Sequence, residues 1–469
     1  MDASIPQQLE QLAEENRRLR EQLAQRDRLI EQLQQTNRDL QKRLDEIERA
    51  AKRQAAPFSK GPPKPNPKKP GRKQGEKHGK HGHRQPPPPE QVDEILDAPL
   101  PNNCPYANCG GNIVEDGTDS QFQTEIPREP IYRQITIHCG HCAKCGKKVR
   151  GRHPQQTSMA TGAAQSQLGP DAQATIVDLN KRAGMSFGKI TDTFSRAFGI
   201  LLTPGACAQV ILRAANLLMP AYEMIKQRLI LSHHITPDET GWRIGGHPAW
   251  LHCWVGDREA TLYAIDPRRS ADVLQNIIGI GWSGSMTHDG FSSYDRFQDT
   301  AHQQCVDHAL RRARGLLQKQ SGAARIFPGQ VIELFTSSLD LRDRLNLASA
   351  ADEARGRAYA DYTQRLLDLT QRPRHNELNA RLANHLYNHA ASWFLFLIDP
   401  LIPATNHRAE QALKTPIVNR KVWGGNRTLA GCQAQAVLCS VLQTCKNLAI
   451  DVFAYLSNAF RGEVGPLFA

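Results

Sequence analysis

The first 50 residues carry a hydrophobic repeat that leaves few alternatives for their structure. Twelve positions recur with alternating steps of three and four, and they fill the a and d sites of six heptads. Leucine dominates d, while Asn16 and Asn37 occupy a, where paired amides favour a parallel dimer. The twelve are Leu9, Leu12, Asn16, Leu19, Leu23, Arg26, Ile30, Leu33, Asn37, Leu40, Leu44 and Ile47. We expect residues 1–50 to form a coiled coil through which chains self-associate; the alternative is a single solvent-exposed helix.

A basic stretch rich in proline and glycine follows at residues 51–100. Its central part, KGPPKPNPKKPGRKQGEKHGKHGHRQPPPP, contains Glu76 as its only acid and cannot bury a core. The whole chain has a net charge of +12 and a pI of about 9.2, so an anionic partner is expected. The stretch is therefore expected to be an extended linker, which either contacts DNA phosphates or is merely solvated.

Five of the eleven cysteines fall between Cys104 and Cys145, in the pieces CPYANC and CGHCAKC. Paired thiolates about 30 residues apart can close a tetrahedral zinc site. We expect one structural Zn²⁺ in a module at residues 101–155; the alternative is a set of unligated thiols. The first-choice ligands are Cys104, Cys109, Cys142 and Cys145, with Cys139, His138 and His141 as substitutes.

An odd number of cysteines without a secretion signal indicates a reducing, cytoplasmic location. No apolar run reaches the roughly 18 residues that a membrane span needs, so no membrane partner is expected.

Residues 160–232 have helical patterns. Two helices are separated at Gly184–Met185, with Ser186 as a cap, and a third begins near Thr203 and Pro204. This pattern indicates either a helix-turn-helix-like DNA-binding domain or a plain bundle packed on the next domain. The candidate phosphate contacts are Lys181, Arg182, Lys189, Arg196 and Arg213.

Short β-type runs then alternate with turn signals from His233 to Tyr294. Two of them end in an acid, Asp238 after Thr236–Pro237 and Asp289 after Thr287–His288. Two strand tips in one sheet would bring both carboxylates within reach of a shared metal ion.

A third acid, Glu410, lies one turn into a predicted helix that begins near Asn406. Between the second and third acids, an amphipathic helix begins near Cys305, and residues 320–400 are helical and rich in charge. Two aspartates on strand tips and one glutamate on a helix are what a phosphoryl-transfer site with two Mg²⁺ (or Mn²⁺) ions requires.

These pieces resemble the transposases of the insertion sequence sixty-six family, which belong to the Asp–Asp–Glu class. The resemblance rests on RGRHPQQT, QLGPDAQATIVDLNKR, LTPGACAQV, PDETGWRIGG, THDGFSSYD, CVDHALRRAR and NHRAEQALKTPIVNRKVWGG, and on the order of the segments. It implies a catalytic triad of Asp238, Asp289 and Glu410, while Glu239 and Asp295 do not match the motif. The four-residue spacer between Cys104 and Cys109 departs from the family, which has two residues there.

The resemblance also implies the fold. We expect a multidomain chain: an N-terminal coiled coil, a small zinc module, a helix-turn-helix-like helical domain and an α/β ribonuclease-H-like catalytic core. The core spans residues 233–460, with a helical insertion at about 320–400.

The expected activity is hydrolytic nicking at the ends of a mobile element, followed by attack of the freed 3′-hydroxyl on target DNA. The partners are double-stranded DNA, a second copy of the chain and small accessory proteins. The candidate DNA contacts around Glu410 are Lys414, Arg420, Lys421 and Arg427. The alternatives are a non-catalytic dimeric DNA-binding regulator and a ribonuclease-H-like nuclease that cuts without joining.

Two further pairs of residues have more than one interpretation. Cys305 and His308 either order the active-site helix or contact the scissile strand, or they belong to a packed helix face. Trp242 and Trp423 either stack on a flipped base or pack in the core.

Overall fold

A computed structural model describes most of the chain. The described residues are 4–52, 87–97, 99–101, 109, 111–112, 120, 122–123, 126, 129–153, 156, 167–257, 259–279 and 281–468. The chain divides into two compact units, residues 1–125 and residues 126–469. None of the described helices is both long and apolar enough to cross a membrane.

The first unit is dominated by one helix of 49 residues, α1 (Ser4–Lys52). Its described seam leucines and isoleucine are each at least half exposed in the single chain: Leu19, Leu23, Ile30, Leu33 and Leu40. An uncovered apolar seam is compatible with the coiled coil that the heptads predict. The linker residues 53–86, including Pro70–Lys73, and the candidate ligand Cys104 lie outside the described residues.

The second unit begins with a small hairpin. Strand β1 (Cys139–His141) pairs antiparallel with β2 (Lys148–Arg150), and both strands are exposed. The turn between them carries Cys142 and Cys145, and Gly146 adopts φ +68°, which favours glycine. This turn has the tight form that the Cys-x-x-Cys-Gly sequence predicts.

Four helices follow: α2 (Pro170–Lys181), α3 (Phe187–Phe198), α4 (Pro204–Leu217) and α5 (Met219–Ile230). Ser186 caps α3 as expected, and Thr203, near the expected start of α4, caps that helix, because each side chain accepts a backbone N–H from the first turn of its helix. These helices share one hydrophobic core with the following sheet and with the last two helices of the chain. They therefore have no separate core of their own.

The five-stranded sheet is mixed, in the order β5-β4-β3-β6-β7. Strands β3 (His234–Ile244), β4 (His247–Gly256) and β5 (Thr261–Asp266) form an antiparallel meander. Helix α6 (Ala271–Ile278) leads to β6 (Ser285–His288), which runs parallel to β3, and β7 (Ala301–Gln304) runs parallel to β6. All strands predicted from sequence exist, but β3 is much longer than the short run predicted before Asp238.

Helices cover both faces of the sheet because its strands alternate their side chains. On β4, Trp254 joins the core formed with α2–α5, while Cys253 and Val255 join a second core on the other face. Two last long helices complete these layers: α13 (Leu429–Asn447) and α14 (Val452–Arg461). Ser440 and Thr444 of α13 accept the outward backbone N–H groups of β5, so this sheet edge is closed to further strands.

A helical insertion separates β7 from the helix that carries Glu410. It consists of α8 (Ile326–Leu347), α9 (Asp352–Thr370), α10 (Glu377–Asn388) and α11 (Leu395–Ile398). These helices build a core of their own together with α7 (Val306–Lys319). The described chain is thus mostly helical around a mixed sheet, which is the multidomain α/β class expected from the sequence in broad terms.

Candidate active site

Asp238 lies on β3, the central strand of the sheet. It faces Cys253 of β4 in the register of the meander. Parallel pairing with β6 is limited to His234 and Ile235, so β3 continues past the end of its neighbour. The sequence placed Asp238 at the tip of a strand; that placement is wrong for β3 itself, which runs on to Ile244 because it forms a hairpin with β4.

Asp289 follows β6 directly, as expected. Its Oδ1 accepts the backbone N–H of Phe291 at 3.0 Å, which fixes the side chain in an Asx turn. Gly290 has φ +89°, and a side chain there would collide with Gln304 of the neighbouring strand. The turn that carries Asp289 therefore requires glycine after it.

Glu410 lies in the first turn of α12 (His407–Trp423) and is about one-third exposed. Two basic side chains of α7 approach its carboxylate: Arg311 at 3.7 Å and His308 at 3.9 Å. Arg311 also donates to Asp307 at 2.7 Å, so its guanidinium is held in place beside Glu410.

The start of α12 is joined to the start of α7 through a buried thiol. Cys305 donates to Asn406 Oδ1 at 3.2 Å and accepts the Asn406 N–H at 3.4 Å. Both residues are at most 2% exposed. Of the interpretations of Cys305, this contact favours the ordering of the active-site helix.

Asp289 and Glu410 act electrostatically on Asp238. Burial and the charges of Glu239, Asp289 and Glu410 together raise the pKa of Asp238 to about 7, against one hydrogen bond from the Glu239 N–H. In their present positions, no three His, Cys, Asp or Glu side chains of the described part lie close enough together to hold a metal ion. Asp238, Asp289 and Glu410 nevertheless come from three separate elements, and the charges of the other two reach Asp238.

The two acids outside the predicted triad have other surroundings. Glu239 is buried and paired with Arg269 at 2.7 Å, and it also accepts the Tyr294 hydroxyl at 2.8 Å. Asp295 is exposed on a short 3₁₀ turn at Ser292–Arg296. Glu239 is therefore committed to an ion pair, while Asp295 faces solvent.

The sequence did not single out a group of histidines beside Asp289. The Gly290 N–H donates to His288 Nδ1, so Nε2 carries the proton and donates to His302 Nδ1 at 3.1 Å. His302 then donates through Nε2 to the Phe297 carbonyl at 2.9 Å. Burial lowers the pKa of His288 to about 3, which keeps the His288 ring neutral. In the sequence, only the position of His288 next to Asp289 could have indicated this group of histidines.

The predicted DNA contacts near Glu410 divide into two groups. Lys414, Lys421 and Arg427 are exposed. Arg420 instead donates to the Gly241 carbonyl and to the Thr240 hydroxyl, so it ties α12 to β3.

The two candidates at the end of α2 also differ. Arg182 pairs with Asp178 at 2.6 Å and remains half exposed. Lys181 is only 4% exposed, and its ammonium donates to Gln435 of α13. The expectation that Lys181 lies on an open DNA-binding surface is therefore corrected, because α13 covers this side of α2.

Trp242 and Trp423 pack against each other edge to face, with their ring centres 6.1 Å apart. Trp242 is 2% exposed and donates to Asn426 Oδ1. This arrangement favours core packing over base stacking for the pair.

The cysteines of the expected zinc module are partly described. Cys109 and Cys145 are exposed, and Cys142 and Cys145 lie on the hairpin turn. Backbone hydrogen bonds from Cys145 and Lys144 lower the pKa of the Cys142 thiol, which favours the thiolate that zinc binds.

A family model described as "Transposase IS66 family" matches residues 165–434, which contain Asp238, Asp289, Glu410 and the helical insertion. No curated protein matches the chain.

Proposed function

Since the chain belongs to the IS66 family of transposases, we propose that it cuts the ends of a mobile DNA element and joins them to target DNA. The reacting centre would be formed by Asp238, Asp289 and Glu410. The observation that carries this proposal is the convergence of the three acids from three separate elements, close enough for Asp289 and Glu410 both to act electrostatically on Asp238. The mixed sheet with helices on both faces supports the expected ribonuclease-H-like class.

The donor set suits divalent metal. Asp238 is half-buried, and the charges that act on it come from other acids. A cation between these acids would remove that repulsion, and carboxylate oxygens are the ligands that Mg²⁺ and Mn²⁺ prefer. When bound, two such ions supply activation of the attacking oxygen and stabilisation of the leaving oxygen.

The chain's own residues would position this chemistry. Arg311 and His308 lie close enough to restrain the Glu410 carboxylate. Arg269 and Tyr294 both donate to the Glu239 carboxylate and hold it in a fixed position next to Asp238. The exposed Lys414, Lys421 and Arg427 would contact backbone phosphates of the DNA.

Two successive displacements at phosphorus account for the reaction. In the first, water attacks the phosphodiester at the element end and the 3′-oxygen leaves as a hydroxyl. In the second, this 3′-hydroxyl attacks a target phosphodiester, and the target's own 3′-oxygen leaves. No covalent bond to the protein forms, so no Ser or Tyr nucleophile is required.

Cleavage of element-end DNA by the full chain tests the triad. We expect Asp238→Asn, Asp289→Asn and Glu410→Gln each to lose at least about 10³-fold in rate, while all three variants stay folded at the assay temperature. Asp295→Asn is the matched control, because it removes an exposed carboxylate six residues after Asp289. Metal-dependent cleavage that survives any one of the three changes would refute the assignment.

An assay with a pre-nicked element end distinguishes the proposed transposase from the two alternative functions. A transposase joins the exposed 3′-hydroxyl to target DNA, a nuclease releases the end without joining it, and a regulator binds it without either reaction. Joining that depends on Asp238 supports the proposal. Binding alone would favour the dimeric regulator.

We also propose one structural Zn²⁺ held by Cys104, Cys109, Cys142 and Cys145. The lowered pKa of Cys142 and the tight turn after it support this set. Metal analysis of the purified full chain should find about one zinc per chain, and Cys142→Ser should abolish it. Cys207→Ser, which changes a buried thiol of α4, should leave the zinc content unchanged.

A further inference from the structure

A buried lysine lies at the base of an open pocket on another flank of α12. Lys181 ends α2, and its Nζ donates to Gln435 Oε1 and lies 5.3 Å from the centre of the Trp423 ring. None of the described acids forms a salt bridge with it, although it is only 4% exposed. The amide oxygen of Gln435 and the carbonyl end of α2 offset part of its charge. Burying an ammonium without an anion costs free energy, and an anion bound beside it would lower that cost.

The pocket beside Lys181 is cationic. It is lined by Lys181, Arg182, Tyr263, Thr415, Pro416, Cys439, Leu442, Gln443 and Lys446, and these described lining residues include no carboxylate. Lys446 is exposed at the mouth. Cys439 does not compensate for the missing anion, because burial raises its pKa to about 11 and it remains a neutral thiol. Burial lowers the pKa of Lys181 to about 8, which leaves it mainly charged at neutral pH.

The size of the pocket limits its ligand. Its volume is about 210 Å³, below the roughly 300–1,000 Å³ of pockets that enclose a drug-sized molecule. A single tetrahedral anion fits such a space. Lys181 and Lys446 would supply its charge together with Arg182, whose guanidinium also pairs with Asp178. The Thr415 hydroxyl and the Gln443 amide could donate hydrogen bonds.

The geometry points to a phosphate-binding site in this pocket, with Lys181 as its buried cation and Arg182 and Lys446 at its mouth. Thr415 follows Glu410 by five residues, which is a rise of about 7.5 Å and a rotation of about 140° along the helix. The pocket therefore opens on a different flank of α12 from the triad. The site stands independently of whether the three acids are catalytic.

The position of Lys181 is locked by the same helices. Asn419 of α12 donates to the Lys181 backbone carbonyl at 2.7 Å and fixes the end of α2. The ammonium itself contacts Gln435 of α13 and the Trp423 ring of α12. The lysine thus cannot turn out to solvent without breaking contacts to two helices. A phosphate in the pocket would bridge the end of α2 to α12 and α13.

Titration of the full chain with inorganic phosphate, followed by calorimetry, tests the site. We expect Lys181→Met to weaken phosphate binding by at least about tenfold. Gln435→Glu should do the same, because it gives Lys181 a carboxylate partner while leaving the lysine in place. Lys226→Met on α5, outside the pocket, should change the affinity by less than about twofold. An absence of phosphate binding to the parent at millimolar concentration, or binding to both pocket variants with the affinity of the parent, would overturn the proposal.

Duplex DNA distinguishes the two sources of the phosphate. If a DNA backbone phosphate occupies the pocket, Lys181→Met should reduce the slope of log affinity against log salt by about 0.9. An unchanged slope together with lost phosphate binding assigns the pocket to a free phosphate. The triad variants should retain phosphate binding in either case, so failure of the proposed function and failure of this site are separable.

Discussion

Asp238 holds its proton more tightly in the folded chain than in the unfolded one, because burial and three neighbouring acids oppose its ionisation. Its folded pKa of about 7 lies above the ordinary value of 3.8. The contribution of the protonated group to stability is therefore complete below about pH 4 and is lost as the pH rises to 7. The difference of about three between these two pKa values corresponds to roughly 4 kcal/mol. We expect an effect on stability of roughly 2–4 kcal/mol because the group is not fully buried.

Denaturant unfolding of Asp238→Asn over pH 4–8 measures this effect. The variant should match the parent near pH 4 and exceed it by roughly 2–4 kcal/mol at pH 8. Added Mg²⁺ at pH 8 should stabilise the parent more than the variant, because only the parent has the full set of carboxylates. Asp295→Asn is the control and should follow the parent at every pH. Parallel curves for the parent and Asp238→Asn would contradict the electrostatic coupling.

The two single residues whose surroundings differ most from expectation are Lys181 and Asp238. Lys181 is covered by α13, whose Gln435 lies 254 residues away in sequence. No local pattern could therefore have revealed the burial of Lys181. For Asp238 the choice of residue rested on its local motif, but its charge environment depends on Asp289 and Glu410 from distant segments. A sequence identifies which acids to consider and does not give their distances.

At the scale of elements, the junction of α7 and α12 orients Glu410. Cys305→Ala removes both bonds to Asn406 and leaves a buried amide unsatisfied, at a cost of about 1–3 kcal/mol. We expect the cleavage rate to fall by about tenfold or more while DNA affinity is retained. Stopped-time cleavage assays and binding titrations measure the two quantities.

Cys445→Ala is the matched control for this junction. It removes a fully buried thiol from α13, in the hydrophobic core. It should cost stability through packing alone and leave the rate near that of the parent. Equal rates for both alanine variants would show that the Cys305–Asn406 contact does not position Glu410.

A second junction joins α2 to α12 at Gly184. Its φ of +72° favours glycine, and an added Cβ would collide with the Asn419 side chain that caps α2. Gly184→Ala should destabilise the chain by about 2–3 kcal/mol through backbone strain and loss of this cap. Gly188→Ala, in the first turn of α3 with open space around it, should be neutral or stabilising by up to about 1 kcal/mol. Thermal unfolding compares them, and a neutral Gly184→Ala would contradict the junction.

Elements governed by local chemistry were predictable, and those governed by neighbours were not. Ser186 was expected as a cap and Thr203 near the start of a helix, since capping involves only the next three residues. Strand β3 was underestimated because Pro237 reads as a strand breaker. It is tolerated there because β6 pairs with β3 only as far as Ile235, so the proline lies where the strand has one neighbour.

At the scale of the whole molecule, residues 160–232 and the core were expected as separate domains. The four helices α2–α5 instead bury their apolar residues against the sheet and α13. An amphipathic helix shows in its sequence that it has a core-facing side, but not which element covers it. The insertion differs from these four helices, because its helices form a separate hydrophobic core with α7.

Self-association is the remaining property of the whole molecule, and the seam of α1 makes it testable. Leu33 occupies a d position and is 59% exposed in the single chain. In a dimer, each such leucine would contribute about 1.5–3 kcal/mol per chain by burial. Leu33→Asp replaces this gain by two buried carboxylates, which would repel each other across the seam. We expect sedimentation of the full chain to change from dimer to monomer at micromolar concentration. Gln35→Asp, at the outward-facing f position of the same heptad, should remain dimeric. If both variants sediment as the parent does, the seam does not hold the chains together.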